Sequence, residues 1–103
     1  MGPLIAKHKA TWTAPKTNTD GSTLKDLVGY FIYWRGPNEA FSDSRRKDVG
    51  NVTSYDLSKL NLPAGKYYVC VSAYDVSGNE SECSLEANFD AAIPSVPTGF
   101  QIS

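Results

Sequence analysis

The chain has 103 residues, enough for one ordinary domain with a core of its own. Ten basic and eleven acidic side chains leave a net charge of −1. That balance argues against a nucleic-acid binder, which needs a basic face to displace counterions from phosphates, and against an electrostatic membrane anchor. No apolar run approaches the ~20 residues of a membrane span, and Met1 to Ala10 carries neither the apolar centre nor the cleavage site of a secretory leader. Either such a leader has been removed, or the protein leaves the cell by another route, such as inside a virus particle.

Short alternating apolar runs recur along the chain, separated by turn residues, and no helical period is sustained. The reading is therefore all-β. His8 to Thr13 is the first strand, with Ala10 and Trp12 on one face and Pro15 ending it. The polar stretch Lys16 to Asp26 holds the turn formers Asn18, Asp20, Gly21 and Ser22. Leu27 to Arg35 is the strongest strand: Tyr30, Ile32 and Trp34 share one face, and Phe31, Tyr33 and Arg35 the other. Weaker strands lie within Ser44 to Val49 and through Thr53 to Leu57. Leu60 to Gly65 makes a corner, and Tyr67 to Tyr74 follows as a long strand with Tyr67, Val69, Val71 and Ala73 on its inner face. After a turn at Val76 to Asn79, Glu82 to Phe89 is the last strand.

About six short strands at this spacing point to two packed antiparallel sheets. Ala10-Thr11-Trp12 with Pro15, then Leu27 through Trp34, then Leu62-Pro63-Ala64-Gly65-Lys66-Tyr67-Tyr68-Val69 and Ala73-Tyr74-Asp75 through Ser81 resemble, in that order, successive pieces of a fibronectin type III module. The third piece is similar to its tyrosine corner, and the long loop with Asn18, Asp20 and Gly21 is like the version in bacterial and phage proteins. The resemblance covers roughly residues 8 to 90. It implies an immunoglobulin-like sandwich and an adhesive, spacer or scaffold role; it carries no activity, because one sandwich hosts many functions.

Two departures stand out. Such modules open with a Pro-containing edge strand before the tryptophan strand, and here only the extension of residues 1–7 precedes it, short for a strand plus a connection. Residues 91–103 contain Ile93-Pro94-Ser95-Val96-Pro97-Thr98-Gly99-Phe100-Gln101-Ile102-Ser103, which looks like that first strand at the wrong end of the chain. The expectation is an open edge beside the Trp12 strand, which invites a strand from another copy.

Chemistry is sparse. The lone His8 has no glycine-framed nucleophile near it, and two cysteines with one histidine do not make a zinc spacing. Asp20 and Asp26 lack the alternating oxygen ligands of a calcium loop, and no phosphate-cradling glycine run is present. Glu80 and Glu82 read as exposed hairpin carboxylates. No enzyme activity and no cofactor are expected. Cys70 and Cys83 flank a turn and are either a disulfide or two part-buried thiols: Cys70 is out of phase with the core, whereas Cys83 is in phase with Ala87 and Phe89 unless a bulge intervenes. A bridge there closes a loop of ~14 residues and contributes ~3 kcal/mol.

Phe31, Tyr33, Tyr68 and Tyr74 face away from the core on neighbouring strands and form an outward aromatic strip, either an interface or a set of stabilising cross-strand pairs. Arg45, Arg46 and Lys47 read as a solvated edge strand. The candidate contact residues are these four aromatics with Val96, Phe100 and Ile102 of the tail. The expected function is a structural or interaction module, either a small virion or tail component assembling with copies of itself or other structural proteins, or an adhesion or spacer domain from a larger secreted or cell-surface protein. A carbohydrate ligand has no polar cluster to support it.

Overall fold

The structure, a computed structural model, describes residues 4–6, 8–91, 99 and 102. It opens with a hairpin of Leu4–Ala6 (β1) and Lys9–Thr11 (β2), in which Ala6 lies opposite Lys9 and Leu4 opposite Thr11. His8 has a φ of 67°, the left-handed conformation that the tightest hairpin turns require. Because two residues suffice for the connection, the first seven residues do hold a strand. The edge expected to be open beside the Trp12 strand is thus occupied from Lys9 to Thr11. The strands that follow are Leu27–Arg35 (β3), Arg46–Gly50 (β4) and Ser54–Asp56 (β5). A 3-10 turn over Leu57–Leu60 comes next. The Asp56 carboxylate accepts from the Ser58 N–H at 3.0 Å at its start, and Asn61 closes it with φ 53°. Lys66–Asp75 (β6) and Ala87–Asp90 (β7) complete the set.

Two antiparallel sheets result, ordered β1-β2-β5 and β4-β3-β6-β7. The alternation of Tyr30 and Ile32 on β3 and of Val69 and Val71 on β6 puts these side chains on one face. There they meet Ala10, Leu57 and Phe89 in one buried cluster, with Trp12, Trp34, Tyr55 and Tyr67 packed around it. Each large apolar side chain sealed this way contributes about 1.5–3 kcal/mol, which is what holds three-residue strands in place.

Two ring contacts orient one sheet on the other. Trp12 meets Tyr30 edge-on at 5.4 Å between centroids, and His8 meets Phe89 at 5.9 Å. Tyr30 lies opposite Ala73, and Phe89 opposite Tyr67. The Thr11 end of β2 therefore shares a pole with Leu27 and Asp75, here the upper pole. The His8 end shares the lower pole with Lys66 and Asp90. Leu4 enters at the upper pole, and Ala91 leaves at the lower one, where its N–H donates to the Gly65 carbonyl at 2.8 Å.

The last strand is shorter than its alternation suggests: regular pairing covers Ala87–Asp90 only. Between the Tyr74–Glu80 bridge and the Val69–Ala87 pair, β6 advances five residues and its partner seven. The surplus breaks the ladder, and serine hydroxyls stand in for the lost carbonyls. Ser81 Oγ accepts the Ala73 N–H at 2.9 Å, and Ser84 Oγ accepts the Val71 N–H at 3.1 Å. The Ser81 and Ser84 N–H groups donate to the Ala73 and Val71 carbonyls at 2.8 and 2.9 Å. The edge of β6 is thereby satisfied without a regular strand.

Candidate interaction surfaces

The outer face of the four-stranded sheet brings together the four aromatics singled out by parity. Phe31 pairs with Ser72, Tyr33 with Cys70 and Arg35 with Tyr68, and the Phe31 and Tyr74 rings are 4.6 Å apart. They do not form an exposed strip. Tyr33 is buried, the other three are half-buried, and charged side chains lie over the rings of Phe31, Tyr33 and Tyr68. The Arg46 guanidinium lies 4.1 Å from the Phe31 centroid, and that of Arg35 lies 4.5 Å from Tyr68 and 5.1 Å from Phe41. Arg35 is held in turn by both oxygens of Glu86, at 2.7 and 2.9 Å, and the Tyr74 hydroxyl donates to Asp48 at 2.6 Å. Long side chains laying an apolar stem and a planar head over a ring remove it from water while staying hydrated themselves. The basic run is likewise only partly solvated: Arg46 sits on this face, Arg45 pairs with Glu39, and Lys47 is exposed.

Glu80 is the residue that the parity argument passed over. It is no free hairpin carboxylate, because its side chain is 27% exposed and turns onto the sheet. It accepts from the hydroxyls of Tyr33 and Ser72, the latter at 2.6 Å, and from Arg46 at 3.1 Å. Burial is the largest influence on its carboxyl and pushes the pKa up. The Ser72 and Tyr33 hydrogen bonds and Arg46 outweigh it and hold the group below its ordinary value. Tyr33 is shifted upward, by burial first and by Glu80 second. The signal that points to this cluster is Ser72, a hydroxyl in an otherwise apolar strand, 2% exposed and in need of an acceptor.

Cys70 faces away from the core cluster yet is 1% exposed, because residues 80–86 lie across it. It is joined to the exposed Cys83 with a Cα separation of 5.7 Å. Ser81 lies against Ala73 and Ser84 against Val71, so one surplus residue falls between them and shifts the alternation by one, which brings Cys83 to the same outer face; a second before Ala87 shifts it back. The disulfide, Glu80 and Glu86 thus fasten one irregular run at three points.

Clefts also mark the described surface, one of about 540 Å³ lined by Trp34, Pro37, Arg45, Leu62 and Lys66. Another, about 460 Å³, opens beside the upper half of β6, between Trp12, Thr13 and Pro15 on one side and Ser81, Glu82 and Ser84 on the other, with Tyr30, Val71 and Ala73 beneath. The Trp12 Nε1 and the Tyr30 hydroxyl are buried with no partner within hydrogen-bonding geometry. Burial raises the Tyr30 pKa, and the neighbouring Trp12 indole opposes that. A further cleft, about 360 Å³, lies between the Thr17–Leu24 loop and the turn after β6. Its carboxylates are already occupied: Asp20 accepts from the Ser22 N–H and hydroxyl, and Asp75 from Ser77 and Asn79.

Among the described residues, no group of three or more His, Cys, Asp or Glu can hold a metal ion. His8 is half-buried against Phe89. Val96 and Phe100 lie outside the described residues, and Ile102 is 88% exposed. No protein-family model, curated protein or solved structure matches the chain.

Proposed function

We propose that the chain is a non-enzymatic β-sandwich of the fibronectin type III kind whose work is protein–protein contact, and that its C-terminal segment joins it to copies of itself in a virion or tail structure. The strand order supports the sandwich reading. In constant-type immunoglobulin domains the sheets run 1-2-5-4 and 3-6-7; here β4 has moved beside β3, and the rest of the order is the same. The observation that carries the contact role is the separation of entry and exit. Leu4 and Ala91 sit at opposite poles, so the chain passes Ala91 at the end of the sheets far from Leu4. Light scattering on size-fractionated protein tests the assembly. The full chain is expected above its monomer mass of 11.2 kDa, and a chain ending at Ala91 at the monomer mass. Monomers for both, or the same oligomer for both, refute it.

A second reading has its own support. Opposite poles also suit one bead in a series of domains, and the Cys70–Cys83 disulfide suits an oxidising, extracellular or cell-surface setting. In that case the segment after Ala91 leads into a further domain, and the module is a spacer or an adhesion domain for a protein or carbohydrate ligand. It predicts monomers for both chains.

A further inference from the structure

We infer that the upper-pole cleft beside Trp12, Thr13 and Pro15 receives residues 94–102 of a second copy. The inference rests on the assembly reading and adds the receiving site to it. β1 as described begins at Leu4, opposite Thr11, and the cleft lies just beyond, where β2 gives way to Trp12 through Pro15. Its floor is apolar, from Tyr30, Val71 and Ala73, and its lips are polar, from the Thr13 hydroxyl and the exposed Glu82 carboxylate, the Ser81 and Ser84 hydroxyls being taken up by β6. A slot with an apolar floor and hydrogen-bonding lips fits an extended chain that points every second side chain downward.

The segment after Ala91 has that pattern. Val96, Phe100 and Ile102 fall on one parity with Thr98 between them, and residues 91–103 carry no charge to be desolvated. A second copy is the better source than the chain's own tail. Ala91 is tied to Gly65 at the lower pole, whereas the cleft lies against Val71 and Ala73, about 20–26 Å up β6 at ~3.3 Å per residue. The chain's own tail uses residues 92 to 97 or more on the climb, so Val96 never arrives. Copies stacked pole to pole deliver the whole alternating segment. Donor and acceptor are then different surfaces, so the contact is head-to-tail and continues unless it closes into a ring.

The test uses the full chain, the full chain with Thr13→Arg at the lip of the cleft, and the chain ending at Ala91. The last keeps every residue of both sheets and of the core. Light scattering is expected to show oligomers for the full chain and monomers for the other two. Mixed, these two form a one-to-one dimer, since one offers only a tail and the other only a cleft. Phe100→Asp in the full chain, a change outside both sheets, is expected to give monomers as well. Circular dichroism matching the full chain shows that Thr13→Arg has folded. Oligomers that survive Thr13→Arg overturn the cleft while leaving tail-mediated assembly standing. A monomeric full chain overturns both. If that monomer also loses a blue-shifted tryptophan emission on truncation at Ala91, the tail fills its own cleft.

Discussion

Replacing Cys70 by alanine and Cys83 by serine removes the disulfide that ties β6 to the run crossing it. Alanine is chosen at the buried position because a serine hydroxyl there adds an unpaired polar group, and serine at the exposed one because water satisfies it. The linked residues are 13 apart in sequence, so the bridge closes a 14-residue loop. The chain-entropy relation puts the loss for a loop of that length at about 3 kcal/mol at 25 °C. In a domain of this size 1 kcal/mol corresponds to about 4–8 °C, so the melting temperature is expected to fall by roughly 12–24 °C. Urea unfolding followed by tryptophan emission and far-ultraviolet dichroism checks it. The midpoint should fall, and the transition should stay two-state with nearly the same slope. Because the cross-link also compacts the unfolded chain, a small rise in slope is acceptable. A midpoint unchanged in the double variant refutes the argument, for it means that Glu80, Glu86 and the two serines hold the run without the bridge.

The Glu80 cluster gives a second expectation. Glu80→Ala leaves the hydroxyls of Tyr33 and Ser72 and the Arg46 guanidinium without their shared acceptor, at a cost of about 2–4 kcal/mol in urea unfolding, while Glu82→Ala, an exposed neighbour, costs under ~0.5. The pH dependence follows from direction. The hydrogen bond from Tyr74, then the Gly50 N–H, lowers the Asp48 pKa, and Glu80 is also held below its ordinary value. Carboxyls with depressed folded pKa values contribute stability that is complete above their unfolded values of about 4 and is lost as pH falls through the folded ones. The urea midpoint should therefore hold steady from about pH 7 to 5 and drop below about 4. A midpoint that rises on acidification contradicts the assignment. Gly29→Val tests the close approach of β3 to the end of β4. A Cβ there meets the Gly50 carbonyl carbon and the Tyr74 hydroxyl, each at 3.0 Å, so a loss of roughly 1–3 kcal/mol is expected by thermal melting, where an ordinary strand position gains from valine.

The inner faces of β3 and β6 were legible in the sequence because side chains on a strand alternate with a period of two. Tyr30 with Ile32, and Val69 with Val71, declare a core on parity alone. β1 was not legible, because its existence rests on a turn made with a left-handed histidine where no glycine or asparagine marks one. The irregular run before β7 was hidden for a different reason. Its alternation is intact in the sequence, but one surplus residue between Ser81 and Ser84 shifts the phase and a second before Ala87 shifts it back, and nothing local announces that Ser81 and Ser84 will replace backbone acceptors. The same slip kept both readings of the cysteines open. The outer aromatics were found correctly and their exposure was misjudged. Parity places Phe31 and Tyr33 on a face, but what lies over them depends on Arg46 from β4, whose register shifts between Tyr30 and Phe31.

The opposed positions of Leu4 and Ala91 bear on how the domain carries tension. A pull applied between them runs along the strands. It draws β1 upward past β2 and β7 downward past β6, so both pairs are loaded in shear and their backbone bonds share the force instead of parting one after another. Once β7 slides free, the chain behind it pays out only as far as Cys83. The link to Cys70 stops the extension there, and the segment from Val71 to Glu82, with its turn, is shielded from the load.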